Sequence, residues 1–404
     1  MSEKHDFITL DEVSLSGKRV LLRVDFNVPM ENGNILDYTR IQASLPTIKQ
    51  ILSQNGRVII MSHLGRPKEG KFEESCSLLP VAMALSTLIG ENVKFISDWE
   101  RVNDETTRRV ILMENVRFQK GETGNAEDLS RLMASMCDIY VNDAFAAAHR
   151  SHASTHGVAK YASVVCAGPL MVREMDALTR AFKSPAHPLV AIVGGSKVST
   201  KLEVLKSLLE KVDKLIVGGG IANTFLKATG TGIGKSLCED ELISTAIEIM
   251  DMAKTQGKDI PLPVDVVCGK TVDNRAEATV KALSEIADDD LILDIGPQTA
   301  SNYQAELLNA RTIIWNGPLG VFEIDQFAKG TEALARAIAE SDAFSVAGGG
   351  DTLSAISKFN IGSDISYITT AGGAFLEFLE GKTLPAIAIL EECALAWRAT
   401  EREY

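Results

Sequence analysis

One stretch decides the fold: Val190-Ala-Ile-Val-Gly-Gly-Ser-Lys-Val-Ser-Thr-Lys-Leu-Glu-Val-Leu-Lys-Ser-Leu208. Its first residues are short-chained, apolar and β-branched, which predicts a buried strand of a parallel sheet. Gly194 and Gly195 follow the strand. Without a Cβ they allow the backbone to turn sharply and to approach a ligand closely.

A helix is predicted after this turn, because leucines recur at helical spacing as far as Leu208. Ser199 or Thr200 is expected to cap its first turn. Lys197 and Lys201 stand four residues apart, so both are expected on one face at the helix start. A glycine turn, a helix N-terminus and two cations predict a polyphosphate site. The alternative is an ordinary strand–turn–helix unit with solvated lysines.

Length and composition predict a soluble protein of two domains. The chain has 404 residues, of which 45% are hydrophobic, and this is enough for two cores. A formal net charge of −13 argues against nucleic acid or an anionic membrane as a partner. The N-terminus lacks an apolar signal region, and no apolar run is long enough to span a membrane. The six cysteines are scattered without a C-x-x-C pair, which favours reduced thiols and the cytoplasm.

Strand-like and helix-like segments alternate along the chain, which predicts an α/β fold with parallel sheets. Ligands of such sheets bind at the carboxyl ends of the strands. The first predicted strand runs from Arg19 to Asp25, and Arg23, Asp25 and Asn27 are expected to share one face at its end. These polar residues either meet a ligand, or Arg23 and Asp25 form a buried ion pair.

Basic side chains follow several strand ends in the first half of this acidic chain. They are Arg40, His63, Arg66, Arg117 and Arg150. Arg40 begins a predicted helix, where a cation opposes the helix dipole, and this favours a ligand-binding role. Arginine recognises carboxylates and phosphates through paired hydrogen bonds. We therefore expect these side chains to line one anion pocket.

Three histidines, His149, His152 and His156, have a spacing that a metal site could use. No cysteine lies close to them in the sequence, and the nearest carboxylate, Asp143, ends a predicted strand. Contacts with an anion and local hydrogen bonds are therefore favoured over a metal.

Glycines follow the predicted strands of the second half, at 218–220, 317–320, 348–350 and 372–373. Exposed backbone at neighbouring strand ends suits a flat ring and a phosphate chain lying over the sheet. Asp351 is the carboxylate best placed for a magnesium ion, because Mg²⁺ combines few carboxylates with phosphate oxygens. The alternative for Asp351 is a plain helix N-cap.

Two nucleotide-binding motifs are rejected. Thr229-Gly-Thr-Gly-Ile-Gly-Lys-Ser236 resembles a Walker A loop, but it lacks the first glycine and does not follow a predicted strand. No G-x-G-x-x-G sequence follows a strand either, which argues against a nicotinamide dehydrogenase.

Several segments, in order and over nearly the whole chain, resemble phosphoglycerate kinase. They are Arg23-Val-Asp-Phe-Asn-Val-Pro29, Ser62-His-Leu-Gly-Arg-Pro67, Glu114-Asn-Val-Arg-Phe118, Val141-Asn-Asp-Ala-Phe145 with His149-Arg150, Gly194-Gly-Ser-Lys-Val198, Trp315-Asn-Gly-Pro-Leu-Gly-Val-Phe-Glu323 and Gly348-Gly-Gly-Asp-Thr352.

The resemblance implies two Rossmann-like domains with parallel sheets, joined by a helix and hinge. Residues 1–168 would form the N-terminal phosphoglycerate-binding domain, and 169–188, with a helix from Pro169 to about Phe182, the linker. Residues 189–385 would form the C-terminal nucleotide-binding domain. We expect the tail, 386–404, to be helical and to pack back on the N-terminal domain.

The function implied is that of a cytoplasmic, monomeric glycolytic kinase. A phosphoryl group would move reversibly and directly, in line and on domain closure, between 1,3-bisphosphoglycerate and ADP, giving 3-phosphoglycerate and ATP with Mg²⁺. For phosphoglycerate, the resemblance assigns Asp25, Phe26, Asn27, Arg40, His63, Leu64, Gly65, Arg66, Arg117 and Arg150. For the nucleotide it assigns Lys197, Lys201, Gly219, Asn316, Glu323 (ribose), Gly349, Gly350, Asp351 (metal) and Thr352. For the transfer itself it assigns Arg40, Lys197, Lys201, Gly350 and Gly373.

Four residues depart from the family's usual pattern: Tyr38, Ala147, Ala371 and Phe375. Phe375 bears most directly on the site, because it takes the place of a small residue in the loop near the phosphates. Two other functions are weighed, a phosphometabolite-binding protein without activity and a nicotinamide dehydrogenase. The first would be favoured by loss of a key cation, and the second lacks its glycine motif.

Overall fold

The computed structural model describes residues 5–105 and 107–401. The chain forms two compact units, Met1–Met175 with Thr383–Tyr404, and Asp176–Lys382. The predicted boundaries at 168, 188 and 385 stay predictions.

The elements of the first unit alternate between strand and helix. They are β1 (Arg19–Arg23), β2 (Met30–Glu31), β3 (Asn34–Ile35), α1 (Thr39–Ser53), β4 (Arg57–Met61), α2 (Leu79–Ile89), β5 (Val93–Ile96), β6 (Val110–Met113), α3 (Glu127–Ser135), β7 (Ile139–Asn142), β8 (Val165–Ala167) and α4 (Pro169–Leu178), which continues into the second unit. The second unit contains β9 (Leu189–Gly195), α5 (Leu202–Leu209), β10 (Lys214–Gly218), α6 (Gly219–Ala228), α7 (Ile243–Thr255), β11 (Asp265–Gly269), β12 (Thr279–Ala282), β13 (Leu291–Ile295), α8 (Pro297–Asn309), β14 (Thr312–Asn316), α9 (Lys329–Glu340), β15 (Phe344–Ala347), α10 (Gly350–Phe359), β16 (Tyr367–Ile368) and α11 (Gly372–Leu379). The last helix, α12 (Pro385–Glu401), belongs to the first unit.

The sheet of the first unit has the order β5-β6-β4-β1-β7-β8, and its strands are parallel. Strands β6 and β7 are buried along their whole length, as expected of a sheet covered on both faces. The chain passes from β1 to β4 on one side and later returns to β7 on the other. This change of direction opens a crevice at the carboxyl ends of the central strands.

The main sheet of the second unit has the order β10-β9-β14-β15-β16 and is also parallel. Alternate residues of β9 and β14, such as Ile192 and Trp315, are buried in one hydrophobic core. A second crevice lies where β9 and β14 adjoin. The predicted α/β fold with parallel sheets is confirmed.

A second, antiparallel sheet of order β12-β11-β13 lies in the second unit. This sheet was not predicted from the sequence. Strand β12 is largely exposed and only four residues long, so it carries no run of buried side chains by which a sequence pattern could reveal it.

The predicted cap of α5 is wrong. The helix begins at Leu202 without a side-chain cap. The Ser199 hydroxyl instead donates to Glu239 Oε1 at 2.5 Å, and the Thr200 hydroxyl donates to the Lys197 carbonyl at 2.9 Å. Lys197 therefore lies in the turn before the helix, and the expected helical pairing of Lys197 with Lys201 does not occur.

Helix α4 ends at Leu178, and one π-helical turn, Thr179–Lys183, follows it. The predicted C-terminal helix is α12. Its Cys393 thiol donates to the Ala159 carbonyl at 3.4 Å, and Arg398 donates to the His5 carbonyl at 3.0 Å. Within the described ranges, no helix is both long and apolar enough to cross a membrane.

Candidate active site

A group of basic side chains surrounds His63 at the carboxyl end of the first sheet. His63 follows β4 and is buried. Burial lowers its pKa well below the usual range, and the positive charges of Arg23, Arg117, Arg150 and Arg40 lower it further. The imidazole is therefore neutral at physiological pH, so it offers hydrogen bonds without adding charge.

Asp25 pairs with one of these arginines. Its Oδ2 accepts a hydrogen bond from Arg40 Nη1 at 2.6 Å, and its Oδ1 accepts from the Asn27 amide at 3.0 Å. Arg40 lies in the first turn of α1 and is 30% exposed. The carboxylate thus holds in place a cation that the helix dipole disfavours.

Arg23 is almost fully buried, with 1% of its surface exposed. Its Nε donates to Ser154 Oγ at 3.0 Å, and its Nη1 donates to the Val24 carbonyl. Its Nη2 lies 3.1 Å from His63 Nδ1. Guanidinium nitrogens only donate, so Nδ1 must accept, and the hydrogen of the neutral ring resides on Nε2. Asp25 forms its ion pair with Arg40, so the alternative of a simple Arg23–Asp25 pair is wrong.

The loop after β4 is tied to the segment after β1. Ser62 Oγ accepts a hydrogen bond from the Phe26 amide at 2.7 Å, and Asn27 Oδ1 accepts from the Gly65 amide at 2.8 Å. Gly65 has a φ of +61°, which favours glycine. Phe26 and Leu64 are buried, so they contribute packing and main-chain groups. Hydrogen bonding between the two segments thus brings Asn27 and His63 to the same crevice.

Arg117 presents an unused donor. Its Nη1 donates to the Gly65 carbonyl. Its Nε is buried and has no hydrogen-bond partner among the residues that the structure describes. Burial lowers the pKa of Arg117 to about 10, assisted by the charges of Arg150 and Arg23. The exposed Arg66 acts on Arg117 in the same sense. An anion bound here would satisfy the Nε–H group and relieve this repulsion.

The three histidines between 149 and 156 point to separate partners. His149 Nε2 accepts from Arg150 Nε at 3.1 Å, His152 Nδ1 lies 3.7 Å from Glu122 Oε1, and His156 Nδ1 lies 3.2 Å from Asn125 Nδ2. Across residues 5–105 and 107–401, no three His, Cys, Asp or Glu side chains are grouped as metal ligands.

A cavity of about 450 Å³ opens in the second unit beside the ends of β9, β10 and β14. Its wall includes the main chain of Gly195, Gly219 and Gly220, apolar side chains, and the carboxylates of Glu323 and Asp351. The volume is in the range of small-molecule sites. The apolar lining suits a flat ring, and the glycines leave space for close approach.

Two glycines beside this cavity leave no room for a side chain. A Cβ on Gly194 would lie 1.9 Å from the Pro318 carbonyl oxygen, and one on Gly220 would lie 2.1 Å from the Ser196 carbonyl oxygen. Any side chain at either position would push apart the loops that shape the cavity.

Lys201 lies beyond the carboxyl end of β9, in the main sheet of the second unit. Its Nζ donates to Asn316 Oδ1, and Asn316 Nδ2 donates to the Gly348 carbonyl at 2.8 Å. Burial lowers the pKa of Lys201, whereas the charges of Asp351 and Glu380 raise it. By contrast, Lys197 is exposed in the preceding turn. Lys197 and Lys201, which were predicted to share one face of the helix, therefore have different environments.

Helix α10 begins at Gly350, after Gly349 with a φ of +101°. Gly349 is its N-cap, so the alternative N-cap role of Asp351 is wrong. Asp351 lies in the first turn and lines the cavity. Thr352 is fully buried, and its Oγ1 accepts from the Gly317 amide at 2.8 Å. Its side chain therefore fastens the loop after β14.

Phe375 is buried in α11 and packs beneath Gly348, where an added Cβ would lie 2.5 Å from its ring. Ala371, the N-cap of that helix, is also buried, and Gly373 is exposed in the first turn. The large ring at 375 thus belongs to the hydrophobic interior. Of the other two departures, Ala147 is buried, and Tyr38 precedes α1 with 40% of its surface exposed.

Sequence reasoning missed the residues that support the two sites. Glu122 and Ser154 lie behind Arg23, and Asn115 donates to the Leu64 carbonyl at 2.7 Å. The side chains of Leu226, Leu237 and Leu319 line the cavity. Neither spacing nor residue type singles them out, because their roles arise from contacts between segments distant in the sequence.

One parallel sheet ends in an arginine-rich crevice. The other ends in a glycine-lined cavity, with Lys201 close to the cavity residue Gly195. Together these two sites are typical of a phosphotransferase. The sequence model of the phosphoglycerate kinase family matches residues 10–382. Phosphoglycerate kinases of Francisella philomiragia and Francisella tularensis are each 56% identical to this chain. Both matches cover 96% of this chain and 99% of the relative.

Solved structures agree with this match. The structure of phosphoglycerate kinase from Coxiella burnetii is 52% identical, with a TM-score of 0.93, and covers 96% of this chain and 100% of its own. The Pyrococcus horikoshii structure is 34% identical, with a TM-score of 0.80, covering 96% and 99%. The chain therefore belongs to the phosphoglycerate kinase family. Its activity is the family's glycolytic transfer between 1,3-bisphosphoglycerate and ADP, giving 3-phosphoglycerate and ATP.

Proposed function

We propose that the first unit holds 3-phosphoglycerate or 1,3-bisphosphoglycerate in the crevice around His63. The observation that carries this proposal is the buried Arg117 Nε without a partner among the described residues, beside a neutral imidazole and further arginines. Asp25, Asn27, Arg40, His63, Arg66, Arg117 and Arg150 would bind through side chains, and Phe26, Leu64 and Gly65 through main-chain groups and packing.

The second unit holds ADP or ATP in the glycine-lined cavity. The ring would lie over Gly219 and its apolar neighbours, and the ribose near Glu323. The phosphates would lie by Gly349, Gly350 and Thr352 at the start of α10, where free amides attract anions. Lys197 and Lys201 follow β9, and Asn316 is the last residue of β14, so all three stand at the carboxyl ends of their strands.

Magnesium is proposed to arrive with the nucleotide. Asp351 and Glu323 are both exposed carboxylates on the cavity wall. Glu323 is assigned to the ribose, so Asp351 is the carboxylate proposed for the ion. Mg²⁺ is commonly held by one or two carboxylates together with phosphate oxygens and water. The residues therefore fit a nucleotide-bound ion better than a resident metal. When bound, Mg²⁺ would neutralise phosphate charge.

The chemical step needs positioning and charge stabilisation more than covalent help, and the acceptor needs no general base because it is already a carboxylate or a phosphate. Arg40 and Lys201 would stabilise charge on the transferring group, and the amides of Gly350 and Gly373 would bind its oxygens. In-line transfer on closure of the two units stays a prediction. We also propose a cytoplasmic monomer that requires neither nucleic acid nor a membrane.

The test is a coupled assay that follows 1,3-bisphosphoglycerate formed from 3-phosphoglycerate and ATP. Turnover that disappears with EDTA and returns with added Mg²⁺ is expected. Calorimetry with each ligand separately supplies the control. Binding of both ligands without turnover would overturn the assignment of catalytic residues, and turnover that EDTA leaves intact would overturn the role of magnesium.

A further inference from the structure

A buried carboxylate lies behind the arginine-rich crevice. Glu122 has none of its side chain exposed and lies in a turn after β6, outside the motifs to which the sequence analysis assigns ligand contacts. Its Oε1 accepts from the Ser154 hydroxyl at 2.6 Å, and its Oε2 accepts from the Ser154 amide at 2.9 Å. Both carboxylate oxygens are thus used by a single serine.

This serine continues the chain of hydrogen bonds toward His63. The hydrogen of Ser154 points to Glu122, so a lone pair of Oγ is left to accept from Arg23 Nε at 3.0 Å. Arg23 Nη2 in turn faces His63 Nδ1 at 3.1 Å. The Ser154 carbonyl is fixed from another side by the Tyr140 hydroxyl at 2.9 Å. Every member of the chain is buried, so it is shielded from water and each link has a defined donor.

We propose that Glu122 is a positioning residue, which acts through Ser154 and Arg23 to fix the ring orientation and tautomer of His63. With Nδ1 occupied by Arg23, the Nε2–H group of His63 is the donor available to an oxygen of the phosphoglycerate. Glu122 also supplies the negative charge that a buried Arg23 requires. This proposal rests on the proposed binding of phosphoglycerate to the first unit.

The electrostatics agree with this arrangement. Burial raises the pKa of Glu122, while Arg23, the two Ser154 hydrogen bonds and Arg117 lower it. His152 is a further titratable group close to Glu122, with its Nδ1 3.7 Å from Oε1. Burial and the neighbouring arginines lower the pKa of His152 to about 4. It is therefore neutral at physiological pH, so the cations that Glu122 balances are Arg23 and, to a smaller extent, Arg117.

The substitution Glu122→Gln reverses one link while keeping the shape of the side chain. Its amide has one oxygen for two Ser154 donors, and its NH₂ group would face either the Ser154 amide or the Ser154 hydroxyl. In the second case Oγ accepts from the new amide as well as from Arg23 Nε, and the buried hydroxyl hydrogen is left without an acceptor. In either case the carboxylate charge that balances Arg23 is lost. We expect KM for 3-phosphoglycerate to rise about tenfold, or about 1.4 kcal/mol, with KM for ATP unchanged.

The second readout needs no substrate. The ¹⁵N chemical shifts of the imidazole report the tautomer of His63, and loss of signals in His63→Gln assigns them among the six histidines. We expect an Nε2–H ring in the wild type and a mixture of tautomers in Glu122→Gln. Glu122→Asp, which retains the charge, should recover part of the affinity.

Asp138→Asn is the matched control. Asp138 accepts hydrogen bonds from the amide and the guanidinium of Arg19, the first residue of β1, at 2.8 and 3.1 Å. It therefore supports an arginine at the start of β1, whereas Glu122 supports, through Ser154, Arg23 at the end of the same strand. We expect this variant to leave KM for 3-phosphoglycerate unchanged. If Glu122→Gln does not fold, Ser154→Ala cuts the same chain and should give the same two changes.

The proposal is overturned if Glu122→Gln, or Ser154→Ala in its place, has wild-type KM for 3-phosphoglycerate and wild-type His63 shifts. A rise in KM with unchanged His63 shifts would also overturn it, because the tautomer would then not be involved. Failure of the proposed function is separate: Arg117→Ala would then bind 3-phosphoglycerate as the wild type does, whatever the tautomer of His63.

Discussion

Replacing Lys201 by alanine is expected to remove most of the turnover, whereas the same change at Lys197 is not. Both substitutions delete one positive charge, four residues apart. Lys201 is half-buried and fixed by Asn316, and Lys197 is exposed in a turn. The two variants therefore separate the effect of a positioned cation from that of charge alone.

The expected magnitude follows from the environment of each ammonium group. Two unit charges about 4 Å apart interact by about 4 kcal/mol at the effective dielectric of a partly buried site, and by about 1 kcal/mol in water. If Lys201 faces charge that develops on the transferring group, its loss should lower kcat about 10³-fold. Loss of Lys197 should lower kcat about fivefold, and by less at high salt.

The assay is steady-state turnover at saturating ATP and 3-phosphoglycerate, with circular dichroism and Tm to verify folding. Lys201→Arg is a useful third variant, because it restores the charge but not the compact ammonium geometry. Equal losses for the alanine variants at 197 and 201 would refute the reasoning from burial. Near-wild-type kcat in Lys201→Ala would refute the role of Lys201 itself.

Two further predictions concern the second unit. Gly194→Ala should lower Tm by several degrees, because overpacking costs about 1–3 kcal/mol and its Cβ would lie 1.9 Å from the Pro318 carbonyl oxygen; Gly232→Ala, with no atom within 4 Å, is the control and should leave Tm unchanged. Burial raises the pKa of Asp294 to about 7, although hydrogen bonds from the Gly330 and Ile295 amides act to lower it. The folded state therefore keeps this proton up to a higher pH than the unfolded state, so the stability of the wild type relative to Asp294→Asn should fall by up to about 4 kcal/mol between about pH 4 and pH 7. Thermal unfolding of both proteins across this range checks the sign. A wild type that becomes more stable relative to Asp294→Asn as the pH rises would contradict the prediction.

The sequence by itself determined the alternation of strands and helices and the order of the motifs. Strands such as β6 and β9 are continuous apolar runs, because both faces of a parallel sheet are covered. It also placed the basic residues at strand ends, since the position of a residue after an apolar run is a local property of the chain. Their individual roles as ligand contacts stay predictions.

Tertiary structure alone decided which polar groups meet. Asp25 is two residues from Arg23 in sequence, yet it pairs with Arg40, and Arg23 bonds to Ser154, 131 residues away. Ser199 was expected to cap α5, but the helix begins at Leu202 with Lys201 in the N-cap position, and the amide and hydroxyl of Ser199 both donate to Glu239, 40 residues away. Likewise β12 is defined by its antiparallel partner and not by its own side chains. A buried polar group can find its hydrogen-bond partner anywhere in the fold, so partners far apart in sequence compete with local ones. A local pattern therefore cannot determine which partner prevails.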